Sequence, residues 1–219
     1  MSKDSVKKMI FVIINISIFI FMMVVLITRC FVGLDWVTGK IYGPLPVYFK
    51  YFTSLSNFYN GFVCLYLAIL VIKRWKEEGF RFTKMEKIIA LSACMGVTVT
   101  FFTTVTFLTF VMDDMTYLYG GELTVMHVVA PILTVFCYLY FIKAEKINKK
   151  ELLFAVIPLF LYATVYSILV LTDVWTDHYG FTFGGHKWAF FIAYPLMNGL
   201  GYLVCFLLEL FNNLIHKIK

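Results

Sequence analysis

Charge is scarce in this sequence. Only 15% of its 219 residues are Asp, Glu, Lys or Arg, against 61% that are hydrophobic, whereas a soluble domain carries about 25% charged and 45–50% apolar residues. That balance excludes an ordinary water-facing globule. Cysteine is sparse and unpaired: Cys30, Cys64, Cys94, Cys137 and Cys205 stand singly with no CxxC spacing, so neither a zinc ribbon nor a redox dithiol is indicated and small apolar filler accounts for them. Low-complexity linkers and internal repeats are missing, which leaves no sign of a second domain, a solenoid or a repeat-built transporter. No lysine is expected inside a helix, which argues against a retinal Schiff base.

Long apolar runs are what the chain has instead. Six of them approach the 20 or so residues that cross about 30 Å of hydrocarbon: Met9–Val32, Tyr51–Ile72, Ile88–Val111, Leu123–Ile142, Leu152–Leu171 and Trp188–Phe211. Their continuous apolar character predicts helices, because lipid offers the backbone no hydrogen bonds and barrel strands would alternate. The first run follows Lys3, Lys7 and Lys8 but is too long for a signal peptide, so it is read as a membrane helix. The expected fold is therefore all-α, one integral membrane bundle of six transmembrane helices over residues 1–219.

Basic residues set the expected orientation. Fifteen of the nineteen Lys and Arg lie at the N-terminus, in 73–87, in 143–150 and at the C-terminus, leaving only Arg29, Lys40, Lys50 and Lys187 at the other end. Basic residues are retained on the cytoplasmic side, so both termini are expected there. The loop from Met112 to Glu122 carries Asp113, Asp114 and Glu122 with no basic residue and is expected outside. The net charge of +6 thus reads as a topology signal and contact with anionic headgroups, not as a nucleic-acid surface. The four tryptophans, Trp36, Trp75, Trp175 and Trp188, fall at helix ends, where an indole favours the headgroup layer.

Polar residues inside the runs are few, and in hydrocarbon each one asks for a reason. Glu209 lies within a turn or so of the end of the last run, where it is expected to reach water. Thr53, Ser56, Asn57 and Asn60 follow at i, i+3, i+4 and i+7, which gathers them on one helix face. Such a face serves interhelical hydrogen bonding or lines a cavity. His127 sits one turn into the fourth run, and Pro131 four residues later leaves the His127 carbonyl without its usual donor and predicts a kink. Thr53 lies three residues past Lys50 and His127 five past Glu122, so on two helices running the same way both fall about 5–8 Å below the outer boundary. A hydroxyl and an imidazole at one depth are the minimum for a nucleophile with its general base. No carboxylate completes a triad, which leaves a dyad or a histidine oriented by a backbone carbonyl or neutral side chain. In the outer loop, Asp173, Asp177, His178 and His186 match no metal-ligand spacing, and neither a metal nor a cofactor is expected.

The segments Tyr51-Phe52-Thr53-Ser54-Leu55-Ser56-Asn57 and His127-Val128-Val129-Ala130-Pro131 resemble the bacterial branch of the androgen-induced-protein family. That resemblance implies a multi-pass membrane threonine hydrolase acting on fatty acid esters of hydroxy fatty acids, with Thr53 as nucleophile and His127 as base. The match covers these two motifs and Tyr194-Pro195, within a six-helix layout spanning nearly the whole chain. Asn57 is then the candidate for stabilising the oxyanion or orienting the histidine, and Ser56, Asn60, Tyr194 and Asn198 are candidate substrate-binding residues. The expected partner is a membrane lipid or fatty acid ester, in the cell membrane. The competing expectation is a lipid-binding or transport protein without turnover.

Overall fold

The computed structural model describes residues 2–44, 46–111 and 115–218. Asp113, Asp114 and Lys219, which entered the charge count, lie outside the described residues. The described chain is helical, with one isolated antiparallel bridge between Leu34 and Ile41 and no strand.

Six apolar helices form the bundle. α1 (Lys3–Val25) starts six residues before the apolar run because the Ser2 side chain caps the Ser5 N–H at 3.1 Å. A π-helical segment, Leu26–Val32, extends it. α2 is Phe52–Lys73, and α3 (Lys84–Phe102) opens on a capping box between Thr83 and Glu86. A second π segment, Thr103–Leu108, follows α3. A third, Val125–Val129, leads into α4 (Ala130–Phe141). α5 (Leu152–Leu171) has the bounds of its apolar run, and α6 (Phe190–His216) is entered through a 3-10 turn at Lys187–Ala189.

Five of these helical stretches are long and apolar enough to cross a membrane; the fourth, Val125–Phe141, is shorter. Glu122, just before it, is held in a buried ion pair with Arg29.

α3 is the hub, packed against α2, α4, α5 and α6, and it carries the core residues Leu91, Cys94, Met95 and Val97 at no exposure. Backbones come close where glycine allows it: a Cβ on Gly61 would stand 2.9 Å from Met22 Cβ of α1, and one on Gly96 would stand 3.2 Å from Ser56 Cβ of α2. The outside is apolar too. Phe191 is 84% and Leu196 71% exposed; in water such a surface is penalised at about 25 cal/mol per Å².

The four basic segments meet at one end of the bundle. Lys8 Nζ donates to the carbonyls of Trp75 and Glu77 at 3.1 and 2.7 Å, and the Phe82 N–H donates to Lys143 O at 2.9 Å. A buried network closes this end. Lys87 Nζ donates to Glu209 Oε1 at 2.9 Å and Asn213 Oδ1 at 3.2 Å, while Glu209 also accepts from Tyr138 Oη at 2.8 Å and the Ile147 N–H at 2.9 Å. Two expectations fail here. Glu209 is 4% exposed and does not reach water, and Lys87, at no exposure, sits inside α3. Each charge supplies what the other needs in order to be buried.

Candidate functional site

Thr53 is the second residue of α2, at a helix start where the first N–H groups have no intrahelical partner. The Phe52 N–H is capped by Tyr179 Oη at 2.8 Å, and the Leu55 N–H donates to Tyr51 O at 3.2 Å. The N–H groups of Thr53 and Ser54, between them, have no acceptor among the described residues. The Thr53 hydroxyl is likewise unbonded among the described residues, whereas Thr98, Thr164 and Thr172 each donate to the carbonyl four residues back at 2.6–2.8 Å. Position explains it. The carbonyl four residues before Thr53 belongs to the preceding 3-10 turn, Pro46–Lys50, and is not aligned to receive it.

His127 lies in the π segment before α4 and is 5% exposed. Its Nδ1 stands 2.5 Å from the carbonyl oxygen of Leu118. A carbonyl cannot donate, so Nδ1 carries the proton, and Nε2 of the neutral ring is the acceptor nitrogen. Nε2 has no hydrogen-bond partner among the described residues. The π segment has a local cause as well: Pro131 has no N–H for the His127 carbonyl, and the Ala130 N–H reaches back five residues to Val125 O.

One hydrogen bond sets the register between α2 and the fourth helix. Asn60 Nδ2 donates to Thr134 Oγ1 at 2.9 Å, both side chains buried. Seven residues earlier on each helix, about 10 Å toward their starts, stand Thr53 and His127. Among the described residues no hydrogen bond joins them.

The other candidates divide. Asn57 is fully buried; its Nδ2 donates to Thr53 O at 2.9 Å and its Oδ1 is buried without a partner among the described residues. Its free group is thus an acceptor, which suits orienting a donor and not holding an oxyanion. Ser56 bonds Thr100 Oγ1 at 3.1 Å and donates to Thr53 O at 3.1 Å, so it faces α3. Asn60 spends its amide on Thr134 and on the Cys64 thiol, 3.7 Å away.

Tyr194 and Asn198 are not brought to this place. Tyr194 Oη bonds Thr164 Oγ1 at 2.8 Å and its ring meets Phe160, in the packing of α6 on α5, while Asn198 Nδ2 donates to Tyr194 O within α6 at 2.9 Å and its Oδ1 is buried without a partner among the described residues.

Sequence reasoning missed the groups that hold the site. Arg29 Nε and Nη2 grip both oxygens of Glu122 at 2.5 and 2.9 Å, and Tyr48 Oη reaches Glu122 Oε1 at 3.3 Å. Burial, then the Glu122 charge, pushes the Tyr48 phenol up to about 12. Glu122 O accepts the Met126 N–H at 3.1 Å, so this pair anchors the stretch that carries both His127 and its Leu118 acceptor. Across the site the 172–186 loop is pinned by Asp177, whose Oδ1 accepts from Tyr166 Oη at 2.8 Å and Oδ2 from the Thr182 N–H at 2.6 Å. Burial works against the Asp177 charge, but these donors outweigh it and hold the carboxyl below its ordinary value. The loop's Tyr179 is the residue that caps α2.

Beside α2, on the Ser56 face, lies a cavity of about 440 Å³ with mostly apolar walls, among them Phe52, Leu55, Tyr59, Met95 and Tyr162. Among the described residues no group of His, Cys, Asp and Glu could hold a metal ion. No protein-family model, curated protein or solved structure matches this chain.

Proposed function

We propose that the chain is a six-span membrane protein with cytoplasmic termini and that it hydrolyses a lipid ester, with Thr53 as nucleophile and His127 as base. The observation that carries the reading is the Asn60–Thr134 register, together with a histidine whose Nδ1–H is tied to a backbone carbonyl. In the reaction, Nε2 of His127 takes the Thr53 proton as Oγ1 attacks the ester carbonyl. The tetrahedral intermediate collapses, Nε2–H protonates the departing alcohol, and the acyl group remains on Thr53. Water then gives a proton to Nε2 and attacks the acyl carbon, and as the Oγ1–acyl bond breaks Nε2–H returns that proton to Thr53 Oγ1, releasing the free acid. The unsatisfied N–H groups of Thr53 and Ser54 suit the oxyanion, and Asn57 Oδ1 suits a donor beside them. A nucleophile and base that are not yet hydrogen-bonded are common in free enzymes and tighten on substrate.

The 440 Å³ cavity favours the second reading, a lipid-binding protein without turnover, because an acyl chain fits its walls and Thr53 is not among them. A fluorophosphonate separates the two. Hydrolysis expects covalent labelling at Thr53 that Thr53→Ala and His127→Ala each abolish, loss of ester cleavage in both, a double variant scarcely worse than either, and partial activity in Thr53→Ser. Wild-type cleavage by purified, monodisperse Thr53→Ala refutes it.

A further inference from the structure

Two adjoining cavities, of about 280 and 560 Å³, open at the end of the bundle where the termini meet, and they share Phe82, Lys143 and His216 as walls. Six cations from four separate segments line them: Lys7 and Lys8 from α1, Arg81 from the loop before α3, Lys143 and Lys146 from the loop after α4, and Lys217 from the end of α6. Apart from Lys8, none of them forms an ion pair among the described residues. The two acids in the walls are already engaged, Asp4 with Lys8 at 3.0 Å and Glu145 with Lys84 at 3.7 Å. His216 adds a ring nitrogen, Nε2, that is buried and without a partner among the described residues. Five unneutralised cations around a concavity, with a ring nitrogen left over, describe an anion receptor rather than a scatter of loop charges.

We infer that this double cavity binds the phosphate-bearing headgroup of an anionic phospholipid. The lipid source follows from the walls. Phe11, Val71 and Phe141, from α1, α2 and α4, line the smaller cavity beside its lysines, so it offers apolar contact to the glycerol end of a lipid as well as charge to its phosphate, and a free anion has no use for the first. The inference needs the bilayer but not the hydrolase chemistry.

The test uses the full chain in phosphatidylcholine nanodiscs with and without phosphatidylglycerol, reading retained lipid by native mass spectrometry. Wild type is expected to retain phosphatidylglycerol selectively. Each neutralised cation near a membrane surface weakens such binding about fivefold, so Lys143→Gln with Lys146→Gln is expected to lose roughly 25-fold. Lys149→Gln with Lys150→Gln, on the same loop but outside both cavities, is expected to retain it. Three results overturn the inference: no preference for phosphatidylglycerol in wild type, an equal loss in the Lys149/Lys150 pair, or displacement of phosphatidylglycerol by inorganic phosphate, which makes a soluble anion the ligand.

Discussion

Replacing Glu122 by leucine tests whether the Arg29–Glu122 pair is an anchor or a loop ornament. Glu122 has no exposure and Arg29 is 7% exposed, so neither is screened as a surface pair is. Without Glu122 the guanidinium keeps, among the described residues, no ion-pair partner nearer than Asp35 at 4.0 Å, with the Tyr48 ring 5.6 Å away, and an uncompensated buried charge costs about 3–5 kcal/mol. For a chain of this size that lowers the unfolding midpoint by about 6–20 °C. Replacing both charges, Arg29→Leu with Glu122→Leu, removes the orphan and is expected to recover most of the loss, since an apolar pair of similar volume is often neutral or better. Thermal unfolding of the purified protein in one detergent, followed by monodispersity, reads all three variants. Should Glu122→Leu lose no more than about 1 kcal/mol, the pair is behaving as a surface pair and the anchoring of the His127 segment is wrong. A double variant as unstable as the single refutes it equally, because the cost then lies in packing.

Two further outcomes are expected. An impermeant maleimide applied to intact cells should label a cysteine at Thr38 and leave one at Glu78 unlabelled, and the reverse pattern would invert the bundle. Asp177 has a depressed carboxyl in the folded loop, so its contribution is full above the ordinary aspartate value near 4 and is lost as pH falls through the lower folded value. Acid should therefore release the loop around Trp175, seen as a fluorescence change that Asp177→Asn shows already at neutral pH; a wild-type spectrum unchanged down to about pH 2 would disprove the pinning.

Local signals carried most of the fold. An apolar run of 20 residues declares a helix without reference to anything else, and α5 begins and ends where its run does. That Thr53 and His127 each stand seven residues before the bonded pair Asn60 and Thr134 was countable for the same reason, since a helix rises at a fixed rate. Partners distant in sequence were not countable. Arg29 and Glu122 are 93 positions apart, each at the edge of an apolar run, and a charge tally treats them as two loop residues. Lys87 was taken for a loop charge because nothing near it in sequence announces Glu209 and Asn213. Tyr194 and Asn198 find their partners on α5 and within α6, and a polar position on a helix does not by itself say which neighbour it meets.

Among the described residues three π segments, Leu26–Val32, Thr103–Leu108 and Val125–Val129, lie at the Thr53 end of the bundle, and none is found at the end that Lys87 and Glu209 close. A helix that trades five-residue for four-residue bonding advances one position, turning its side chains by about 100° without coming apart. The Lys87 end is therefore fixed by ties between helices, whereas at the Thr53 end the phase of three helices is also set within each helix, by where its bonding shifts from four residues to five.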